Sequence, residues 1–170
     1  EFYENKQANL EKFDDAFREA GQYAKRIREA IKSWGKLENT VMVYFTDHGT
    51  GIGERFGERN YGSFTFEETI RTFYLFTGLN IIKNKTRSDL ISTIDILPTI
   101  LDLCNIDVKI KTPGRSFTRY LFNDTNESFG RVITFSETGA LHGPHPSPEE
   151  SNVFCAKTIR YKIVYNRSTN

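Results

Sequence analysis

An uninterrupted apolar run, residues 40–45 (Thr-Val-Met-Val-Tyr-Phe), limits the possible folds of this chain more than any other segment. Strands with one solvated face alternate apolar and polar residues, whereas continuous β-branched and aromatic residues are typical of a strand covered on both faces. The run ends in Thr46-Asp47-His48-Gly49, so polar groups follow the carboxyl end of the strand. We therefore predict a layered sheet with polar side chains at one edge.

A long amphipathic helix is predicted before this strand, because apolar residues recur in steps of three and four. Gly35 follows them as a helix stop. The residues of the stripe are Leu10, Phe13, Phe17, Ala20, Ala24, Ile27, Ile31 and Trp34. Helix, short loop and buried strand in succession are typical of α/β proteins.

The remaining segments extend this α/β pattern toward the C-terminus. They are, in chain order, a polar glycine-rich loop (46–63), a second buried strand (73–76), a helix (90–106), mostly loop (107–129), a third strand (131–137), a long excursion (139–150) and a hairpin (152–159 with 161–165). In the helix, Asp95 is the predicted N-cap and Pro98 lies in the first turn. Its predicted inner face consists of Ile96, Leu97, Ile100, Leu101 and Cys104. The predicted fold class is α/β, a layered sheet flanked by helices with a small β-hairpin region near the C-terminus.

Composition narrows the class of protein. With 170 residues, 38% of them hydrophobic, the chain suits one domain with a sizeable core, and no run approaches the roughly 18 apolar residues of a membrane span. The formal net charge is +1, so no overall field favours nucleic acid as a partner. Cys104 and Cys155 lack Cys-x-x-Cys spacing and are predicted to be buried free thiols. Because the chain begins with Glu rather than Met, we expect a piece of a longer protein, and cytoplasmic and exported locations both stay open.

Asp47 and His48 are the first candidates for a functional site. A carboxylate oxygen beside an imidazole nitrogen suits manganese, zinc, iron or a related divalent ion better than an all-oxygen calcium cage. Gly49 allows a turn that brings both side chains toward one point. A turn cap at Asp47 with a solvated His48 explains the same residues, and a metal site needs four or more ligands, so the residues alone leave both interpretations open.

Other polar residues also allow both a functional and a purely structural interpretation. His142 and His145, in Leu-His-Gly-Pro-His-Pro, are spaced like metal ligands or a substrate-binding loop, but the prolines equally suit a rigid surface turn. Glu54 and Arg55 suit either a polar cleft or a solvated glycine-rich loop. The sequence contains no phosphate-binding Gly-x-x-x-x-Gly-Lys loop, no His-Glu-x-x-His and no Gly-x-Ser-x-Gly elbow.

Three segments, taken in order and spacing, resemble the sulfatases of the alkaline phosphatase superfamily. They are residues 39–49 (Asn-Thr-Val-Met-Val-Tyr-Phe-Thr-Asp-His-Gly), 61–71 (Tyr-Gly-Ser-Phe-Thr-Phe-Glu-Glu-Thr-Ile-Arg) and 92–103 (Ser-Thr-Ile-Asp-Ile-Leu-Pro-Thr-Ile-Leu-Asp-Leu). Residues 113–117 and 156–166 are similar to two further segments of that family, so the resemblance covers nearly the whole chain.

The resemblance implies an alkaline phosphatase/sulfatase-like fold in which residues 1–170 are the C-terminal part of the catalytic domain. It implies that Asp47 and His48 bind one divalent metal ion, which is calcium, manganese or zinc. The nucleophile of the family, a formylglycine made from Cys or Ser in Cys/Ser-x-Pro-x-Arg, is then expected upstream. No catalytic residue is expected within this chain, and the fragment alone is expected to be inactive.

The implied activity is hydrolysis of a small-molecule or carbohydrate sulfate ester by nucleophilic attack at sulfur. His48 after the aspartate resembles the branch that contains phosphonate monoester hydrolases, so a phosphonate monoester or phosphodiester hydrolase is the close alternative. No nucleic acid partner and no membrane segment are expected, and a homo-oligomer stays open.

Two departures from the family pattern bear on substrate binding. Tyr61 stands where the family often has a lysine, and Arg55 stands where it often has a histidine. The candidate substrate-binding residues are Arg55, Arg59, Tyr61, His142 and His145. The departures also leave open a sulfatase-like protein that binds its ligand without catalysis.

Overall fold

In a computed structural model, which describes residues 2–56, 64–107, 109, 111–139 and 152–167, the predicted first helix is confirmed as α1 (Lys6–Ser33). Gly35 follows it at φ 66°, a conformation that L side chains rarely adopt, which explains the stop. No residue of α1 is buried. Within its apolar stripe, the Phe17 ring contacts Phe73 at 5.8 Å between centroids, while Trp34 is 70% exposed.

The first two predicted strands are β1 (Met42–Phe45) and β2 (Tyr74–Thr77), which pair antiparallel with Met42 opposite Thr77 and Phe45 opposite Tyr74. Met42 is buried but Phe45 is exposed, so the expectation of a strand covered on both faces is wrong at the carboxyl end of β1 in the described structure. At the other end, a Cβ on Gly78 would lie 2.1 Å from the Thr40 carbonyl oxygen. Only glycine permits that approach between the strands.

The segment before β2 contains the short helix α2 (Glu67–Ile70). Because β1 and β2 run antiparallel, the carboxyl end of β1 lies beside the start of β2 rather than beside a second carboxyl end. The carboxyl ends of these two strands therefore do not meet at one edge, as they would in a parallel sheet. The connection that leads into β2 approaches Gly49, the residue after His48, instead.

The predicted 90–106 helix is shorter, with a 3-10 turn at Thr93–Asp95 leading into α3 (Ile96–Leu103). Pro98 lies in the first turn of α3, as predicted. The predicted inner face is wrong at Leu97 and Cys104, which are exposed, whereas Cys155 is buried as expected. The helix buries Thr99 instead.

Asp95 occupies the predicted N-cap position of α3 but makes no side-chain capping hydrogen bond to that helix. It is fully buried and connects three other segments instead. One carboxylate oxygen accepts the Ser92 N–H at 2.8 Å. The other accepts the Arg115 N–H at 2.9 Å and pairs with the Arg131 guanidinium. The Thr99 hydroxyl donates to the Asp95 carbonyl oxygen at 2.6 Å. Buried charge is tolerated here because every carboxylate oxygen has a donor.

The C-terminal half of the chain supplies a short helix and a second sheet. Helix α4 (Arg119–Phe122) interrupts the region predicted to be mostly loop. Strands β3 (Thr134–Thr138), β4 (Val153–Lys157) and β5 (Lys162–Asn166) form a three-stranded sheet in that order. The Thr158 N–H donates to the Tyr161 carbonyl oxygen at 2.8 Å in the turn between β4 and β5, which confirms the predicted hairpin.

The chain divides into two compact units. Unit 1 comprises Glu1–Leu79, Ser136–Phe154 and Val164–Asn170, and contains α1, β1, α2 and β2. Unit 2 comprises Asn80–Phe135 and Cys155–Ile163, and contains α3 and α4. The α/β fold class is confirmed; the sheets are small, and β1 and β2 pair antiparallel. Within the described part of the chain, no helix has both the length and the apolar character needed to span a membrane.

Candidate functional site

The loop after β1 is held against the start of β2 by a close backbone approach at Gly49. The Gly49 N–H donates to the Thr69 carbonyl oxygen at 2.8 Å. A Cβ on residue 49 would lie 2.3 Å from the Glu68 carbonyl oxygen, well inside van der Waals contact. Glycine is therefore required here for close packing, and this packing fixes the chain one residue after His48.

Asp47 and His48 are adjacent residues of unit 1, and a hydrogen bond within the turn joins them. The His48 N–H donates to Asp47 Oδ1 at 2.9 Å, and His48 Nε2 lies 3.6 Å from Asp47 Oδ2. The Asp47 side chain is 84% exposed and that of His48 is 41% exposed. The two interpretations of the sequence, a turn cap and a metal site, are therefore compatible with one conformation. One carboxylate oxygen of Asp47 caps the turn, while the other lies near the imidazole of His48.

The imidazole of His48 is oriented by the backbone. Its Nδ1 lies 2.7 Å from the Gly49 carbonyl oxygen, which can only accept a hydrogen bond. In the neutral ring Nδ1 therefore carries the proton, and Nε2 carries the lone pair on the side of Asp47 Oδ2. Histidine ligands of metal ions are commonly oriented in this way by a carbonyl or carboxylate acceptor.

This pair suits part of a metal site. Ligand atoms bind zinc or similar ions at about 2.0–2.2 Å, so two atoms that share one ion lie within about 4.4 Å of each other. The 3.6 Å between His48 Nε2 and Asp47 Oδ2 meets that condition, and one oxygen and one nitrogen donor suit a borderline divalent ion. Across the described ranges, no group of three or more His, Cys, Asp or Glu side chains is arranged to hold a metal ion. Asp47 and His48 are therefore two candidate ligands, which by themselves do not complete a metal site.

Arg55 lies farther along the same loop. Its Nε donates to Glu68 Oε1 at 2.7 Å, and its guanidinium lies 4.3 Å from the centroid of the Phe66 ring. Glu68 is largely buried, while half of the Arg55 side chain is exposed. The cation is thus anchored on one side and accessible on the other. Glu54 has a local role, since its Oε2 accepts the Ile52 N–H at 2.7 Å.

Asn9 braces this loop, although sequence reasoning did not select it. Its Nδ2 donates to the carbonyl oxygens of Phe2 at 2.7 Å and of Ile52 at 3.0 Å. Gly53, at φ 112°, packs against the same backbone, where a Cβ would lie 3.4 Å from the Phe2 carbonyl oxygen. Because both acceptors are backbone atoms, no residue type in the loop signals this contact.

The other candidates are not described by the structure. Arg59, Tyr61, His142 and His145 lie outside the described residues. Of the residues chosen from the sequence, unit 1 therefore contains Asp47, His48 and Arg55 in described positions on one loop.

Two titratable groups with shifted pKa values belong to unit 2. Burial raises the pKa of the Asp89 carboxyl, but the Phe129 N–H and the Arg87 guanidinium, each 2.8 Å away, outweigh it and hold that pKa below its usual value. A hydrogen bond with the Tyr120 hydroxyl, aided by Glu127, raises the pKa of Arg119 above its usual range. Both shifts thus come mainly from hydrogen bonds, with ion pairs as an additional cause.

Comparison with known proteins identifies a matching family model and relatives of similar sequence. A family model described as Sulfatase matches residues 1–106. An N-acetylglucosamine-6-O-sulfatase from Bacteroides thetaiotaomicron is 31% identical over 146 residues, covering 82% of this chain and 25% of that protein. The chain thus spans about a quarter of the length of this relative.

Solved structures of other proteins have a fold similar to that of this chain. A phosphonate monoester hydrolase from Silicibacter pomeroyi superposes with a TM-score of 0.73 at 21% identity, covering 86% of this chain and 30% of that one. A structure in complex with D-glucosamine-2-N,6-O-disulfate superposes with a TM-score of 0.62 at 22% identity, covering 85% and 31%. These likenesses show an alkaline phosphatase/sulfatase-like fold.

Proposed function

Because this chain belongs to the sulfatase family, we propose that it is the C-terminal part of the catalytic domain of a metal-dependent sulfuric ester hydrolase. The observation that carries the proposal is the turn after β1, where His48 Nε2 lies 3.6 Å from Asp47 Oδ2 and the Gly49 carbonyl orients the ring. In this proposal Asp47 supplies an anionic oxygen and His48 a neutral nitrogen to one divalent ion, which is calcium, manganese or zinc.

The ion, when bound, supplies Lewis acidity to the oxygens of the ester. The residues of this chain have separate tasks. Asp47 and His48 hold their donor atoms in a fixed relation because the Gly49 backbone is packed against the connection into β2. Arg55 offers an exposed guanidinium edge to an anionic ester, while Glu68 and the Phe66 ring keep the side chain in place.

The proposed assignment places the nucleophile, a formylglycine, and the remaining metal ligands in polypeptide outside residues 1–170. Two ligands do not complete a metal site, which supports this division. The chain by itself is then inactive, and activity belongs to the protein that contains both parts. Arg59, Tyr61, His142 and His145 stay proposed substrate-binding residues alongside Arg55.

A carbohydrate sulfate ester is the proposed substrate class. The relative from Bacteroides thetaiotaomicron is an N-acetylglucosamine-6-O-sulfatase, and one of the similar structures contains a sulfated glucosamine. A phosphonate monoester or phosphodiester hydrolase is the second candidate, because a phosphonate monoester hydrolase shares the fold and both ester types present anionic oxygens.

The test uses the intact protein that contains this chain. We expect elemental analysis to find a divalent ion that Asp47→Ala and His48→Ala each deplete, with hydrolysis of p-nitrophenyl sulfate reduced about 100-fold or more. Asp14→Ala, at an exposed carboxylate on α1, is the matched control and should keep both metal and activity.

Three outcomes would change the proposal. Equal metal content in the variants and the wild type would refute the ligand assignment. Faster turnover of p-nitrophenyl phenylphosphonate than of the sulfate would favour the second candidate. Metal binding without hydrolysis of either ester would replace the enzyme with a sulfatase-like binding protein.

A further inference from the structure

Three aromatic side chains of unit 1 form a row that ends in an exposed ring. The Phe2 and Tyr3 rings meet edge to face at 5.3 Å between centroids, and the Tyr3 and Phe56 rings lie 5.0 Å apart at 45°. Phe56 is 92% exposed, so this contact covers little of its surface. Its ring faces are therefore accessible while its position is defined by Tyr3.

The backbone that carries Phe56 is the same braced loop that carries Asp47 and His48. Asn9 donates hydrogen bonds to the carbonyl oxygens of both Phe2 and Ile52, and Gly53 packs on the Phe2 carbonyl. These contacts hold the loop against the segment that contains Tyr3. This bracing brings the Tyr3 and Phe56 rings into contact. An exposed ring on a fixed loop loses little conformational freedom when a ligand packs on it.

The residue next to Phe56 is Arg55, whose guanidinium is half exposed and anchored by Glu68. Successive residues thus offer an apolar ring face and a cation. A sulfated pyranose presents the matching pair of groups, because its axial C–H face packs on the electron-rich face of an aromatic ring and its sulfate accepts charge-assisted hydrogen bonds. An unsulfated sugar would use the ring alone, and inorganic sulfate would use the cation alone.

We propose that Phe56, supported by Tyr3, is a stacking platform for the pyranose ring of a sulfated carbohydrate. The inference rests on the proposed function. It specifies that the alcohol part of the sulfate ester bound near Asp47 and His48 is a sugar rather than an aryl or alkyl group. Phe56 determines which esters bind well, and it takes no part in bond cleavage.

The test is a binding measurement on the intact protein that contains this chain, by isothermal titration with D-glucosamine 6-sulfate and, separately, inorganic sulfate. We expect Phe56→Ala to weaken binding of the sulfated sugar about three- to tenfold and to leave the affinity for inorganic sulfate unchanged. Phe56→Trp should keep or improve sugar binding. Phe135→Ala removes another exposed phenylalanine, which lies on β3, and should change neither affinity.

Several results would overturn the inference. Unchanged sugar affinity in Phe56→Ala would remove the platform, and an equal loss for inorganic sulfate would show that the residue acts on the anion or on loop structure. A wild-type protein that hydrolyses p-nitrophenyl sulfate but does not bind the sulfated sugar would refute the sugar assignment and leave the proposed function intact. Loss of the proposed function appears separately, as metal content that Asp47→Ala does not change.

Discussion

Asp47 in unit 1 and Asp95 in unit 2 both lie next to apolar segments, yet the structure uses them in opposite ways. The Asp47 side chain is 84% exposed, and the contacts that the described structure gives its two oxygens are with the next residue, His48. Asp95 is fully buried, and its oxygens accept hydrogen bonds from Ser92, Arg115 and Arg131. A carboxylate whose oxygens are all engaged stabilises the fold, whereas an exposed one keeps the capacity to bind a ligand.

The contrast extends to what surrounds each carboxylate. The neighbours of Asp95 hold one another as well, because Thr99 Oγ1 accepts the Phe117 N–H at 3.2 Å and the Thr99 carbonyl accepts the Thr118 hydroxyl. Asp47 is positioned instead by backbone contacts of its loop, among them the close packing at Gly49. In unit 2 many hydrogen bonds therefore offset the cost of burying a carboxylate, whereas the candidate site needs only a well-packed loop backbone.

The largest expected effect is the loss of stability caused by the substitution Asp95→Ala. Removing this carboxylate leaves the Arg131 guanidinium buried without its partner and frees two N–H groups, so we expect a loss of about 3–5 kcal/mol in the free energy of unfolding. Urea unfolding of the intact protein measures it. Asp47→Ala is the matched variant and, compared with the wild type when both are metal-free, should change stability by less than about 0.5 kcal/mol. Similar stability losses in the two variants would contradict the contrast between the two carboxylates.

An intermediate effect is expected for Gly49→Ala. The added methyl group would overlap the Glu68 carbonyl oxygen, so the loop must shift, at a cost of about 1–3 kcal/mol. We expect metal content and ester hydrolysis to fall together with stability in the same variant. Gly21→Ala is the control, because nothing lies within 4 Å of a Cβ there and alanine favours a helix by about 1 kcal/mol. Full activity in Gly49→Ala would show that the site tolerates a displaced loop.

The smallest expected effect concerns pH. The pKa of Asp89 is lowered in the folded protein, so the unfolded chain binds more protons at acid pH and this carboxylate contributes stability above about pH 3.8. That contribution should disappear as the pH falls further, through the pKa of the folded state. Asp89→Asn should therefore lower the urea midpoint at pH 6 and differ less from the wild type at pH 3.

Arg87→Met tests the cause of this pH dependence. It removes the ion pair with Asp89 and should abolish part of the same pH-dependent stability. A constant difference between Asp89→Asn and the wild type across this pH range would contradict the pKa assignment.

Local patterns in the sequence predict much of the fold. The steps of three and four define α1 to within a few residues, and the run ending at Phe45 and the hairpin before Asn166 are both found. The antiparallel pairing of β1 with β2 is not predictable in this way, because it depends on the path of the chain between residues 46 and 73. The buried positions of Asp95 and Thr99 are missed because a hydrophobic pattern assigns the interior to their apolar neighbours.

The candidate site, too, is only partly predictable from the sequence. Residue types and spacing indicate Asp47, His48 and Arg55, and the structure places all three on one loop. Asn9, the buried acceptor Glu68 and the ring under Arg55 are contacts across the fold, and no short motif encodes them. Whether Asp47 and His48 bind metal stays a prediction that the proposed experiments address.

The single tryptophan of the chain, Trp34, directly follows the last residue of α1 and is 70% exposed beside the helix stop at Gly35. Its indole is therefore an intrinsic fluorophore on the apolar stripe of α1. Polypeptide that packs over that stripe would transfer the indole from water to an apolar environment and shift its emission to shorter wavelength. The molecule thus contains its own optical reporter of whether the stripe is covered.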